Sequence, residues 1–408
     1  MTNPFLTQEW QETWYQFGGN KRKLIQFSKN KEQMGIMLIN RFIPLYVNSG
    51  RNYTNTMETS HADYFISNIK GSVQRGVALF FDVPQGGELA QVLKRNGANT
   101  VELYPGFVTN IEAPFETYYR KQFNSKRRAE LAKFNKRLSL LGQLKFDIYD
   151  DQSDLPTVLS LVNSFYRILN ERYKSKKEYN RNLTDKGWNF IEELIQATLG
   201  KGMILSVTSL DGHPISFAIS YRFSDTIIYS MAGFDISFTR YNLGNVHLMK
   251  LIEWCTNNGF RKFDFSKGQG VYKDKWANTA YVLNLYILPL GTGLKDKITS
   301  QFLFLYYQLI SNARRNGISR IVKQFKHKIM TKKTDTDLPI ERISVRNIVD
   351  KQVPFSYSDI SYMPMTLKRD MLNVIYDLLA ESEKIYISKA NSNAIFLSNS
   401  LTTVGWRI

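Results

Sequence analysis

The pattern of apolar and polar positions divides the chain into alternating helices and strands. Gln8 to Phe17 places Trp10, Trp14 and Phe17 at helical spacing. Lys23–Phe27, Gln33–Asn40, Val77–Val83 and Thr100–Leu103 read as strands, with helices at Tyr64–Gly71 and Glu88–Arg95 between them. Further on, Leu155–Arg172 and Asp185–Leu199 read as amphipathic helices. Gly202–Ser209 and Pro214–Arg222 read as a hairpin about the turn-forming pair Asp211-Gly212. The clearest unit follows. Thr226–Met231 is β-branched and aromatic, Asp235–Asn242 is a polar loop, and Leu243–Asn257 repeats apolar residues at helical spacing. Asn258-Gly259 stops that helix, and Phe260–Phe265 alternates as a strand. Tyr281–Leu288 is a closing strand. The order predicts an α/β (α+β) protein with mixed sheets flanked by helices, and a crossover helix in the middle of the second one.

The pattern also divides the chain. Residues 1–115 form a first α/β unit, and 116–146 a basic helical connection ending at Gly142. Residues 147–294 form a second α/β unit, 295–330 an aromatic then basic helical segment, and 331–408 an appendage of unassigned role beginning in a polar linker, Thr331–Leu338. The connection crowds Arg120, Lys121, Lys126, Arg127, Arg128, Lys133, Lys136 and Arg137 beside an apolar stripe of Phe123, Leu131, Phe134, Leu138 and Leu141. Phosphates, anionic lipid and plain solvent all suit such a face.

Composition narrows the picture. The 408 residues are 43% hydrophobic and 13% aromatic, enough for folded cores. The net charge of +18 favours anionic partners. A single cysteine, Cys255, excludes an internal disulfide and fits a reducing compartment, so a cytoplasmic location is expected, with peripheral contact at the inner face of an anionic membrane as an extension. The four histidines show no ligand spacing, so no metal is expected. MTNPFLTQEW lacks the basic head and apolar run of a secretory leader, and no run approaches the ~20 apolar residues of a membrane span. Gly86-Gly87 reads as a turn, because no lysine and hydroxyl residue follow as a phosphate loop needs.

The chemical clue is the turn before Leu243–Asn257. A helix start offers unpaired N–H groups and the positive end of the helix dipole. Gly244 lets a ligand approach the backbone, and Arg240 adds charge, so a pyrophosphate-bearing ligand would suit this turn. An ordinary strand–helix turn with a surface arginine explains the same residues.

At this stretch the chain resembles the CelD-type branch of the GNAT acyltransferases, the branch linked to cellulose and exopolysaccharide loci. The counterparts of its motif are Arg240, Gly244, Glu253-Trp254, Asp264, Gly268, Tyr272-Lys273 and Trp276. The family usually has proline where this chain has Leu243. The resemblance extends upstream through the basic helix Phe123–Gly142 and covers roughly residues 5 to 325. Members are similar to the Fem-type aminoacyl transferases, which carry two GNAT-like domains in tandem. The resemblance implies an acyl-CoA, acetyl-CoA first, whose pyrophosphate lies on Leu243, Gly244 and Asn245 near Arg240. It implies a pantetheine arm between splayed strands at Ile227–Gly233 and Phe260–Phe265. An amine or hydroxyl of a small-molecule or glycan acceptor would attack the thioester directly. Asp264 is then the expected base or substrate orienter, its plain alternative being a pair with Lys267 or Lys273. Tyr272 is the expected acid, with packing beside Trp276 as its alternative. Lys273, Gly268 and Trp276 would contact substrate. Two other readings use the same surfaces: a Fem-like transferase fed by charged tRNA, and a non-catalytic module binding anionic glycan or membrane. Thioester-dependent turnover, tRNA-dependent turnover, and salt-sensitive binding without any affinity for CoA separate the three.

Overall fold

In the computed structural model, the structure describes residues 3–18, 23–49, 59–112, 114–316, 341–343, 353–381, 384–390, 394–398 and 403–407. The elements in chain order are α1 (Gln8–Gly18), β1 (Leu24–Lys29), β2 (Glu32–Asn40), β3 (Leu45–Asn48), α2 (Thr59–Ser72), β4 (Val77–Pro84), α3 (Glu88–Arg95) and β5 (Asn99–Asn110). Then come α4 (Phe115–Gln122), α5 (Ser125–Ser139), β6 (Leu144–Tyr149), α6 (Leu155–Lys176), α7 (Asp185–Thr198), β7 (Met203–Leu210), β8 (His213–Phe223) and β9 (Thr226–Phe234). A 3-10 turn at Ile236–Tyr241 leads into α8 (Leu243–Asn257), β10 (Lys262–Lys267), α9 (Val271–Trp276), β11 (Thr279–Pro289) and α10 (Leu294–Arg315). The last part holds β12 (Glu341–Ile343), β13 (Val353–Pro354), α11 (Met365–Glu381), β14 (Tyr386–Ala390), β15 (Ala394–Ser398) and β16 (Thr403–Arg407).

The fold is mixed α/β, as the sequence pattern predicts. Its first eleven strands form one continuous sheet in the order β1-β2-β3-β4-β11-β5-β10-β9-β8-β7-β6. Two neighbouring pairs are parallel, β3 with β4 and β9 with β10, each joined by a crossover that contains a helix; the other pairs are antiparallel. The closing strand at 279–289 does not finish the sheet of its own unit. It lies between β4 and β5 and pairs with both, while β5 pairs with β10. The 1–115 and 147–294 units therefore share backbone hydrogen bonds.

The basic connection is not one helix. It breaks at Phe123 and Asn124, where Phe123 packs edge-on to Trp276 and the Asn124 side chain accepts from the Arg127 amide. Its charges are partly committed: Arg127 pairs with Glu130, and Arg137 is buried over the Tyr376 ring. The alternation of Leu144, Phe146 and Ile148 with Lys145 and Asp147 builds β6, an edge strand that the helical reading of 116–146 overran.

The segment expected to be aromatic then basic begins as α10, whose Leu303, Phe304 and Tyr307 cover the sheet at Val77, Val101 and Ile287. Its outer face leaves Leu294, Ile298, Phe302, Leu305 and Leu309 exposed. Arg320, Lys323, Lys326, Lys328 and the Thr331–Leu338 linker lie outside the described residues. No described helix is long and apolar enough to cross a membrane. The appendage is a second, five-stranded sheet with α11, as a small mixed α/β unit. Met371, Leu372 and Ile375 of α11 join Phe238, Tyr241 and Leu243 in one buried cluster. The loop entering α8 is thus sandwiched between the main sheet and the appendage.

Candidate functional site

The parallel pairing of β9 and β10 lasts three residues, ending at Ile228 opposite Asp264. β9 then continues along β8 to Phe234, while β10 bulges toward β5 between Asp264 and Lys267. The strands part, and a cavity of about 410 Å³ fills the wedge. Tyr229 and Gly233 line one wall, Phe265 and Lys267 another, and Asn242 to Asn245 the end where α8 begins.

That helix start faces the cavity. Asn242 sits in the left-handed region and makes no side-chain cap to the first turn. A Cβ added at Gly244 would come within 3.1 Å of the Phe234 ring, so glycine keeps the opening clear without displacing that ring. A brace fixes the turn from behind. The buried Trp276 donates from Nε1 to Asn245 Oδ1 at 2.8 Å, and Asn245 Nδ2 donates to Asn242 Oδ1 at 2.6 Å.

The cavity is cationic. Arg172, Lys267 and Lys273 line it, and no carboxylate does so among the described residues. Arg172, from α6, donates to the Ala232 carbonyl and lies over the Phe234 ring. Burial lowers Lys273 to about 8, partly opposed by the charge of Asp264. Burial raises the Tyr272 phenol to about 12, so it stays protonated across the physiological range. The hydroxyl of Tyr229 is pushed up in the same way.

The expected site residues separate into three groups. Leu243, Gly244, Asn245, Tyr272 and Lys273 line the cavity. Asp264 does not. Its neighbours Phe263 and Phe265 pack under α8, which turns Asp264 to the opposite face, where the Tyr281 hydroxyl donates to both its oxygens at 3.0 and 2.9 Å. Tyr281 can sit there because Gly106 leaves room: a Cβ on Gly106 would meet the ring at 2.2 Å. The third group also stands away from the cavity. Trp276 is fully buried as part of the brace, Gly268 turns the chain with φ +88°, and Arg240 is held elsewhere. Arg240 makes a two-pronged ion pair with Asp377 of α11, at 3.0 and 2.7 Å, and stacks on Tyr376. Its charge is drawn off by a carboxylate 137 residues away in sequence.

Asp264 and Lys273 instead share a structural task. Ser266, between them, has φ +62°, an uncommon backbone state for a residue with a side chain. The Ser266 amide donates to Asp264 Oδ1 at 2.6 Å, and Lys273 Nζ donates to the Lys267 carbonyl at 2.8 Å and the Ser266 carbonyl at 3.3 Å. Neither expected partner pairs with Asp264 directly: Lys267 reaches Asp82, which also accepts from Tyr104. Desolvation raises Asp264 to about 6, against the Ser266 and Tyr281 hydrogen bonds that favour its charge.

Sequence reasoning missed Arg172 and Tyr229. Arg172 closes an amphipathic helix, where an arginine is ordinary, and no local pattern tells that its head turns into a wedge two strands away. His247, another buried polar group, is a satisfied core residue. It bonds Ser206 and Thr208, and burial lowers it to about 3.

No curated protein matches the chain. Among solved structures, the chain is similar to FemX at 12% identity, covering 73% of this chain and 93% of that one, with a TM-score of 0.49. It is similar to L-PGS from Bacillus licheniformis at 14% identity, covering 74% and 96%, with a TM-score of 0.47. Residues 125–274 match the family model described as an acetyltransferase (GNAT) domain, so the stretch from α5 into α9, which contains the wedge, is a GNAT-type domain.

Proposed function

We propose that this chain is an acyltransferase that takes an acyl group, acetyl first, from an acyl-CoA and delivers it to an amine or hydroxyl of a cell-envelope or exopolysaccharide-related acceptor. The observation that carries this reading is the wedge itself, a cationic opening between parted strands that ends on the uncapped start of α8. A diphosphate at the first-turn amides gains hydrogen bonds and dipole stabilisation together. Arg172 and Lys273 supply the counter-charge. The bound donor provides the activated thioester, and this chain's residues position it and handle charge and protons. Beyond Ile228 the β10-facing edge of β9 has no strand partner, and a backbone N–H there would meet a developing oxyanion. Tyr272, protonated in the cavity wall, would give its proton to the leaving thiolate, and the proton released by the attacking amine or hydroxyl would restore it. Asp264 acts through the Ser266 bulge and is a positioning residue in this scheme. The acceptor class rests on the resemblance to the CelD-type branch.

Calorimetric titration of acetyl-CoA and CoA tests the reading, with Gly244→Val as the control. The wild type should bind both, and Gly244→Val should weaken binding by about a hundredfold, since its side chain meets Phe234 and fills the approach to the amides. No binding of any CoA species by the wild type, beside turnover that depends on aminoacyl-tRNA, would replace this reading with the Fem-like one, which the +18 net charge also suits.

A further inference from the structure

A second cavity of about 570 Å³ adjoins the wedge and shares Arg172, Phe234 and Thr239 with it. Its remaining wall is built from two places far apart in sequence: Lys176 at the end of α6, and Arg369 and Asn373 on α11 of the appendage. Ser175, Ile236 and Arg240 complete the lining. Four cations meet here, and no carboxylate lines the cavity among the described residues. Asp377 pairs with Arg240. The Arg369 Nε is buried without a hydrogen-bond partner. An unsatisfied buried guanidinium N–H costs free energy unless a ligand completes it, and phosphate oxygens match its planar fork. Arg369 and Asn373 stand one turn apart, so one face of α11 presents both, while Met371, Leu372 and Ile375 anchor the helix in the core.

We infer that α11 completes a phosphate-binding cavity beside the wedge, which takes the 3′-phosphate at the nucleotide end of the donor. The ligand would then span the two cavities, its diphosphate on α8 and its outer phosphate among Arg172, Lys176 and Arg369. The appendage, which lies beyond the GNAT-type residues 125–274, gains a role in recognising the donor. This inference rests on the donor reading above.

The test is the affinity ratio of CoA to 3′-dephospho-CoA, measured by calorimetry for the wild type, Arg369→Gln and Arg369→Lys in the full chain. The wild type should prefer CoA by about tenfold or more. Arg369→Gln should bring the ratio near one and leave the 3′-dephospho-CoA affinity unchanged, and Arg369→Lys should restore part of the preference. A wild-type ratio near one, or an Arg369→Gln variant that weakens both ligands equally, overturns the inference while the donor reading stands. If the wild type binds neither nucleotide, the donor reading fails. Inorganic pyrophosphate then decides: binding lost in Arg369→Gln keeps the phosphate cavity, and binding indifferent to Arg369, or none, removes it.

Discussion

The chain builds the same crossover twice and finishes it in two ways. β3–α2–β4 and β9–α8–β10 each join two parallel strands through a helix, and each pairs the strands for three residues. Each also places one non-glycine residue of positive φ just past the pairing, Asp82 in β4 and Ser266 in β10. In the first crossover the gap is sealed. The Asn48 side chain reaches across from the end of β3 and accepts from the Phe81 amide at 2.8 Å, and aliphatic side chains under α10 fill the space beneath. In the second the strands part, and polar and cationic groups line the opening. A parallel pair is thus a neutral scaffold. What makes one a candidate site is whether a side chain bridges the gap, and whether the helix start beyond it is left open. The positive-φ residues serve the two halves differently as well: Asp82 ties down Lys267 from the other unit, whereas Ser266 is held by Asp264 and Lys273.

The largest expected effect removes the open crossover's proton donor. Tyr272→Phe should lower kcat by about 10²–10⁴-fold with little change in CoA affinity, the range typical of a lost general acid. Unchanged turnover would leave Tyr272 as wall packing and make the two crossovers more alike than claimed. Next is the clamp that only the second crossover has. Asp235 begins the loop into α8 and pairs with Lys368 of α11 at 2.7 Å, both groups about 5–6% exposed. Lys368→Met strands the carboxylate and should cost about 3–5 kcal/mol in denaturant unfolding. A loss below about 1 kcal/mol would mean that the appendage does not hold the loop.

A third prediction concerns pH. The Asp264 carboxyl releases its proton near its ordinary 3.8 in the unfolded chain and near 6 in the folded one. Between those values the folded state binds more protons, so stability falls as pH rises. The contribution is fully present below about pH 4 and gone above about pH 6, a change of about 3 kcal/mol. Asp264→Asn should flatten that decline when melts at pH 4 and pH 7 are compared, and an equal decline in the variant would place the titration elsewhere. The smallest effect is at the sealed crossover. Asn48→Ala removes the side-chain acceptor of the Phe81 amide and should cost about 1–3 kcal/mol, without creating affinity for CoA. If the variant acquired such affinity, the side-chain bridge alone would separate the two crossovers.

The sequence by itself determined the elements whose signals are local. Leu243–Asn257 has the predicted bounds, because its apolar period and the Asn258-Gly259 stop are written in adjacent residues. The hairpin turns at Asp211 and Gly212, both with positive φ, as that pair requires. The helix start at Leu243, Gly244 and Asn245 was legible for the same reason, whereas Tyr272 and Lys273 were singled out through the family resemblance; all five line the cavity. Tertiary structure alone decided the rest. Strand alternation does not name a partner, so nothing in Thr279–Pro289 says that it inserts between β4 and β5. Alternation sets Asp264 opposite Phe263 and Phe265, but only the folded sheet shows that this face meets Tyr281 and not the cavity. Arg240 looks like a phosphate ligand until α11 arrives with Asp377, and Arg172 looks like a surface arginine until β9 and β10 part beside it. Periodicity and turn chemistry act over a few residues and survive in the linear text. Side-chain charges act through space, and their partners are chosen only when distant segments meet.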